Sequence, residues 1–182
     1  LNCLRGGKVT RYDARAVLAS NKITALCSGG AGRLWIGTER GIGFFEKDKI
    51  SPLTDGNRLA NRRIATLLED SLGALWIGTI GGGLSRYTRG KISSINHRNG
   101  LSDENVIALC EDRGGSLWVG TSAGGLNQIS SGPFRTYQFG RTPSENMIWS
   151  IRGDREGALW FGTQSGIIRR KAERSEWYRL GD

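Results

Sequence analysis

The chain has little that suits a disulfide scaffold, a metal centre or a membrane span. Its three cysteines, Cys3, Cys27 and Cys110, are odd in number and show no C-x-x-C spacing, so free, mostly buried thiols are expected. The single histidine, His97, falls in an apparent connecting loop with no second ligand pattern around it, so no metal site and no cofactor are expected. Only three prolines occur, and apolar runs stop after a few residues, far short of the roughly 20 needed to cross a bilayer. Membrane insertion by this segment is excluded. The chain starts on Leu1, and no charged start followed by an apolar stretch is present, so no secretory signal is legible; either it was removed or the chain is an excerpt.

Glycine is what the chain has in excess. Twenty-eight of 182 residues are Gly, about twice the ordinary share, while aromatics at 8% are near normal. Many tight turns, and therefore an all-β chain, are expected. The net charge is +9, carried by 20 Arg and 6 Lys. Residues 1–91 hold 15 basic and 7 acidic side chains against 11 and 10 in residues 92–182, so the excess sits in the first half. Such a field attracts anionic partners. No tight Lys/Arg run or aromatic-laced basic motif points to nucleic acid.

An internal repeat dominates the sequence. Leu-Trp-Ile-Gly-Thr occurs at 34–38 and 75–79, Leu-Trp-Val-Gly-Thr at 117–121 and Leu-Trp-Phe-Gly-Thr at 159–163, which places Trp35, Trp76, Trp118 and Trp160 41, 42 and 42 residues apart. An aliphatic residue stands twelve before each Trp (Ile23, Ile64, Val106, Ile148) and another nine before (Leu26, Leu67, Leu109, Ile151). Between them lies a small or hydroxylated residue: Ala25, Thr66, Ala108 or Ser150. Gly stands three before each Trp (Gly32, Gly73, Gly115, Gly157), and Asp six before three of them (Asp70, Asp112, Asp154), with Gly29 in the first copy.

Asp-x-x-Gly between two apolar runs is hairpin chemistry, since Asp bonds nearby backbone N–H groups and Gly accepts positive φ. Each copy continues into a third short run and a more polar fourth one. Four strands per 41 or 42 residues, polar only at the outer edge, fit a β-propeller blade, with each Trp filling the space between neighbouring sheets. Aligning Leu1 with Leu84 places Gly7-Lys8-Val9 on Gly90-Lys91-Ile92, so residues 1–13 are expected to be the outer two strands of a preceding blade. Complete blades are expected at 21–53, 61–96, 104–138 and 145–180. The first two strands then lack inner partners, which suggests one propeller region excerpted from a larger propeller, with open flanks prone to self-association.

The stretch from Leu101 through Asn105, Val106, Asp112, Gly115 and Leu117-Trp118-Val119-Gly120-Thr121 resembles the two-component regulator propeller repeat, and four copies cover nearly the whole chain. The resemblance implies a periplasmic or other extracytoplasmic sensory module of a bacterial signalling receptor. The partners it implies are oligosaccharides, further blades, and signalling modules that lie outside this chain.

Gly120-Thr121-Ser122-Ala123-Gly124 matches the form of a hydrolase nucleophile elbow, but the equivalent stretches keep the glycines and not the serine, and an elbow requires a strand-to-helix turn. The acid pairs Glu69/Asp70 and Glu111/Asp112 belong to the turn motif. No catalytic residue is therefore assigned. The loops leading into the innermost strands and those joining the second to the third strand offer a binding rim. Its candidates are Arg40, Asn61, Arg62, Arg63, Arg98, Asn105, Arg141, Asn146 and Gln164, with Trp149 able to stack on a sugar face. Arg suits bidentate capture of carboxylate or sulfate. The expected function is non-enzymatic sensing of an oligosaccharide or other small anionic ligand. A protein-interaction scaffold is the alternative, and a propeller lyase or hydrolase the third reading.

Overall fold

The computed structural model describes residues 1–53, 56, 59, 61, 63–130 and 134–179. Residues 1–13 contribute a hairpin, β1 (Asn2–Arg5) and β2 (Lys8–Arg11). A one-turn helix, α1 (Arg15–Leu18), leads to the first four-stranded blade: β3 (Ile23–Ser28), β4 (Leu34–Thr38), β5 (Ile42–Glu46) and β6 (Lys49–Pro52). The second is β7 (Ile64–Glu69), β8 (Leu75–Thr79), β9 (Leu84–Thr88) and β10 (Lys91–Ile95). The third is β11 (Val106–Glu111), β12 (Leu117–Thr121), β13 (Leu126–Ile129) and β14 (Arg135–Tyr137). The fourth is β15 (Ile148–Gly153), β16 (Leu159–Thr163), β17 (Gly166–Lys171) and β18 (Arg174–Arg179). Each sheet is an antiparallel meander in chain order.

The β1–β2 hairpin pairs Leu4 with Val9 and Asn2 with Arg11. This is the register of Tyr87 with Ile92 and Ser85 with Ser94 in the outer half of the second blade, as the alignment of Leu1 on Leu84 requires. Helix α1 was not legible: four residues with Arg15 in the only turn carry no helical period. Strand β18 runs Arg174–Arg179 at the end of the blade expected over 145–180, and Leu180 lies outside the described residues.

Each turn between first and second strands is built by its Asp. Asp70 Oδ1 accepts from the backbone N–H of Leu72 (3.1 Å) and Ala74 (2.8 Å), and Oδ2 accepts from Trp76 Nε1 at 2.8 Å. Asp112 and Asp154 repeat this with Trp118 (2.7 Å) and Trp160 (2.8 Å). Gly73, Gly115 and Gly157 close the turns at φ 78°, 77° and 82°, a region only Gly enters without cost. The Thr of each copy donates its hydroxyl to the carbonyl that ends the next loop: Thr79 to Gly83 (3.0 Å), Thr121 to Gly125 (2.8 Å).

The blades stack through the Trp side chains. Trp35 packs with Ile64 and Leu67 of the second blade, and Trp76 with Leu109 and Leu117 of the third. Trp118 meets Ile151 and Phe161 of the fourth. Leu67, Leu109 and Ile151 are accordingly 8, 7 and 2% exposed, whereas Leu26, with no Trp over it, is 51% exposed. Strands β8 and β12, flanked on both sides, are buried throughout, while the outer face of β17 leaves Ile167 open.

Candidate functional site

The meander fixes two rims. The Asp turns and the third-to-fourth turns lie at one end of every sheet, and the loops offered as binding residues lie at the other. On that loop rim, neighbouring loops are tied by backbone bonds: Gly81 N and Gly83 N donate to Glu104 O, and Gly125 N donates to Asn146 O. The loop after the second strand of one blade is thus clamped to the segment leading into the next blade.

Asn105 and Asn146 take part in this clamp through their carbonyls, which accept from Ser122 N and Gly125 N, whereas the side-chain bond of Asn61 stays within its own segment. Asn61 Oδ1 accepts from Arg63 N at 2.9 Å. Asn105 donates from N and Nδ2 to Asp103 Oδ1, both at 3.1 Å, and its carbonyl accepts from Ser122 N. Asn146 is buried, and its amide is fully occupied. Oδ1 accepts from Phe139 N (2.7 Å) and Gly140 N (3.2 Å), while Nδ2 donates to the carbonyls of Gly140 (2.9 Å) and Thr142 (3.0 Å). Asn146 is therefore a loop staple with no polar atom left for a ligand.

The cations are differently placed. Arg98, Arg141 and Gln164 are exposed on separate loops. Arg141 N donates to Glu145 Oε2 at 2.8 Å, and the backbone N–H of Thr142 on the same carboxylate holds Glu145 below the ordinary carboxylate range. Arg62 lies outside the described residues. Arg40 and Arg63 converge. Glu39 pairs with Lys22 at 2.7 Å, and its carboxyl is lowered first by that hydrogen bond and further by the charges of Arg63 and Arg40. Lys22, from the lead into β3, is paired with this carboxylate, and Arg40 of the β4–β5 loop and Arg63 of the lead into β7 lie near enough for their charges to act on it. Arg40 also lines a cavity of about 260 Å³ with Leu18, Gly41, Ile42 and Leu53.

Trp149 stands apart. It occupies a register shift between Ile148 and Ser150 in β15, and the same shift recurs at Thr24, Ala65 and Ile107 in the other innermost strands. The bulge turns Trp149 out of the core, 59% exposed, beside a groove of about 160 Å³ formed by Thr66, Ile107, Ser150 and Arg152 of the innermost strands. A two-residue periodicity could not show that a bulge would present this ring.

Ser122 does not sit on an elbow. It lies in the turn between β12 and β13, with a strand following, and its hydroxyl donates to Asp103 Oδ2 at 2.8 Å, an acid that also accepts from Ala123 N. His97 is exposed in the loop after β10. Among the described residues, no group of three or more His, Cys, Asp and Glu is placed to hold a metal. Burial raises the Cys27 and Cys110 thiols, and all three cysteines are free.

Sheets stacked through repeated Trp residues around a common axis define a β-propeller. The Two component regulator propeller family matches residues 17–40, 58–81, 100–123 and 142–165, more than half of the chain, and the chain belongs to that family. The matched segments cover the first two strands of each blade. No curated protein matches. Among solved structures, an extracellular domain ascribed to a one component system of B. thetaiotaomicron is similar at 21% identity and TM-score 0.72, covering 98% of this chain and 32% of that one. One ascribed to a hybrid two component system of the same organism is similar at 24% identity and TM-score 0.53, covering 88% and 28%. A virginiamycin B lyase from Staphylococcus aureus is similar at 20% identity and TM-score 0.70, covering 88% and 56%. The chain thus spans about half of the lyase and about a third of the sensor domains. At these identities the likeness establishes the propeller fold, which sensors and lyases share.

Proposed function

We propose that the chain is the ligand-sensing part of an extracytoplasmic propeller in a bacterial two-component receptor, binding an acidic oligosaccharide on the loop rim without turning it over. The observation that carries this reading is the Lys22–Glu39 pair at 2.7 Å on the loop rim, with the guanidinium groups of Arg40 and Arg63 near enough for their charges to lower the same carboxyl. Guanidinium groups drawn from two blades offer paired donors to a carboxylate or sulfate, and one bound anion would hold both blades in one arrangement. Binding biases signalling only by its difference in affinity between two arrangements of the propeller. Trp149 supplies an apolar platform for a sugar ring further toward the axis. Family membership supports the sensor class, and the low identity to the lyases carries no chemistry to this chain.

Thermal unfolding with a panel of neutral, uronate-containing and sulfated oligosaccharides, at low and high salt, tests the reading. An acidic glycan should raise the midpoint, part of the rise should survive high salt, and Arg40→Ala with Arg63→Ala should abolish it. A midpoint indifferent to every glycan would reject it. The second reading is a protein-interaction scaffold, in which the sheet faces at Leu26 (51% exposed), Ile167 (47%) and Tyr178 (49%) take up either another polypeptide or further blades.

A further inference from the structure

At the rim of Asp turns, opposite the cationic loops, a guanidinium lies near each repeat Trp, three of them at boundaries between blades and the fourth on the open flank of the last blade. In three of four places that group is neutralised by the chain itself. Arg33, over Trp35 and Phe44, reaches Glu46 at 3.3 Å. Arg170, over Trp118 and Tyr137, reaches Glu173 at 3.2 Å and Ser175 Oγ at 3.3 Å. Arg169, over Trp160, lies between Glu156 (3.5 Å) and Glu176 (3.4 Å). Arg86 is the exception. It lies over Trp76, 5.4 Å from the ring centre; its Nε, like that of Arg33, is buried without a partner, but unlike Arg33 it has no hydrogen bond or ion pair at any guanidinium nitrogen among the described residues.

Arg86 borders a cleft of about 310 Å³ between the second and third blades, lined also by Asp70, Leu72, Trp76, Glu111 and Leu117. Both blades are flanked on each side, so this cleft needs no further blade to form its walls. Its carboxylates are already engaged: Asp70 by Leu72 N, Ala74 N and Trp76 Nε1, and Glu111 by Ser71 N (2.7 Å) and Ser71 Oγ (2.6 Å). Glu111 keeps lone pairs free, since a carboxylate has about four acceptor sites.

The formal charge of this lining is one cation against two carboxylates, which disfavours a bound anion. A guanidinium with free donors, a carboxylate with spare acceptor sites and the apolar surface of Leu72, which is 86% exposed, call for a neutral group. It should present hydroxyls that both accept and donate, with C–H edges between them. We propose that this cleft is a binding site for a neutral sugar unit, held by Arg86 as donor and Glu111 as acceptor. Its evidence is independent of the loop rim, and its ligand is of the opposite electrostatic preference.

The test is a titration of the full chain with methyl glucoside, methyl galactoside, methyl mannoside and, separately, sodium sulfate, followed by NMR of the Arg86 Nε–H and the tryptophan indole N–H groups. At least one glycoside should shift the Arg86 resonance saturably, and sulfate should not. Arg86→Met should weaken that glycoside about tenfold or more while leaving the backbone spectrum folded. Trp149→Ala and Arg63→Ala should leave it unchanged, so that failure of the rim reading and failure of this one are separable. No saturable shift with any glycoside, a shift with sulfate instead, or equal binding by Arg86→Met would overturn the proposal.

Discussion

The Trp35 indole donates across a blade boundary to Glu69, Nε1 to Oε2 at 2.5 Å, taking from the second blade the carboxylate that the first blade lacks at Gly29. The other Glu69 oxygen accepts from Gly30 N at 2.8 Å. A cross-blade carboxylate thus does the work of the turn Asp and ties two sheets together. A Cβ on Gly29 would lie 2.6 Å from both Glu69 Oε2 and Trp35 Nε1, so the two solutions exclude each other. Glu69→Ala should cost about 1–3 kcal/mol by leaving a buried donor unmet, and Gly29→Asp alone should also destabilise. Together they should recover much of the loss, a coupling that a double-mutant cycle in denaturant would measure. Additive losses would show that the two carboxylates are not alternatives.

Close approach of blades makes the glycine two after each Trp unequal in cost. A Cβ on Gly78 would come within 2.6 Å of Val106 in the next blade and 2.5 Å of Thr66 in its own. On Gly162 its one close contact would be Ser150 Oγ, a hydroxyl free to rotate, with no residue of another blade of this chain within 4 Å. Gly78→Ala should therefore cost about 1–3 kcal/mol, as overpacking of a formed interface does, and Gly162→Ala less than about 1 kcal/mol. Urea midpoints of the two variants compare them directly.

The Asp154 carboxyl is held below its ordinary 3.8, first by the hydrogen bond from Trp160, then by backbone N–H groups and Arg169. A carboxyl lowered in the folded state contributes stability that is complete above its unfolded value and is lost as pH falls through the folded one. The fourth blade should loosen below pH 3.8, and Asp154→Asn should make its stability less steep in that range while leaving the same window unchanged for the second blade. Hydrogen exchange in β15 and β16 between pH 2.5 and 5 measures this.

Much of the fold was legible because one 41- or 42-residue unit recurs four times and each of its constrained positions has a single physical reason. Trp76 needs Asp70, Gly73 needs positive φ, and Gly78 needs the next sheet to approach. The alignment of Leu1 with Leu84 gave even the register of the first hairpin. Positions that depend on a neighbouring blade were not legible. Gly29 stands in the first copy where the others have the turn Asp, and nothing in one copy shows that Glu69, forty residues on, reaches back. Asn146 read as a rim contact because a saturated amide and a free one look alike in sequence. Convergence of Arg40 and Arg63 on Glu39 needs the stacking of blades, and the unpaired state of Arg86 needs the positions of every acid around it.

Direct titration of the chain with sulfated, uronate-containing and neutral oligosaccharides in a calorimeter, alongside the Arg40→Ala/Arg63→Ala variant, tests the central claim most closely. The sensor reading predicts saturable binding of an acidic oligosaccharide at one site per chain, with affinity that falls on adding salt and is lost in the variant. Heat that is absent for every acidic glycan, or unchanged by removing both guanidinium groups, would contradict it.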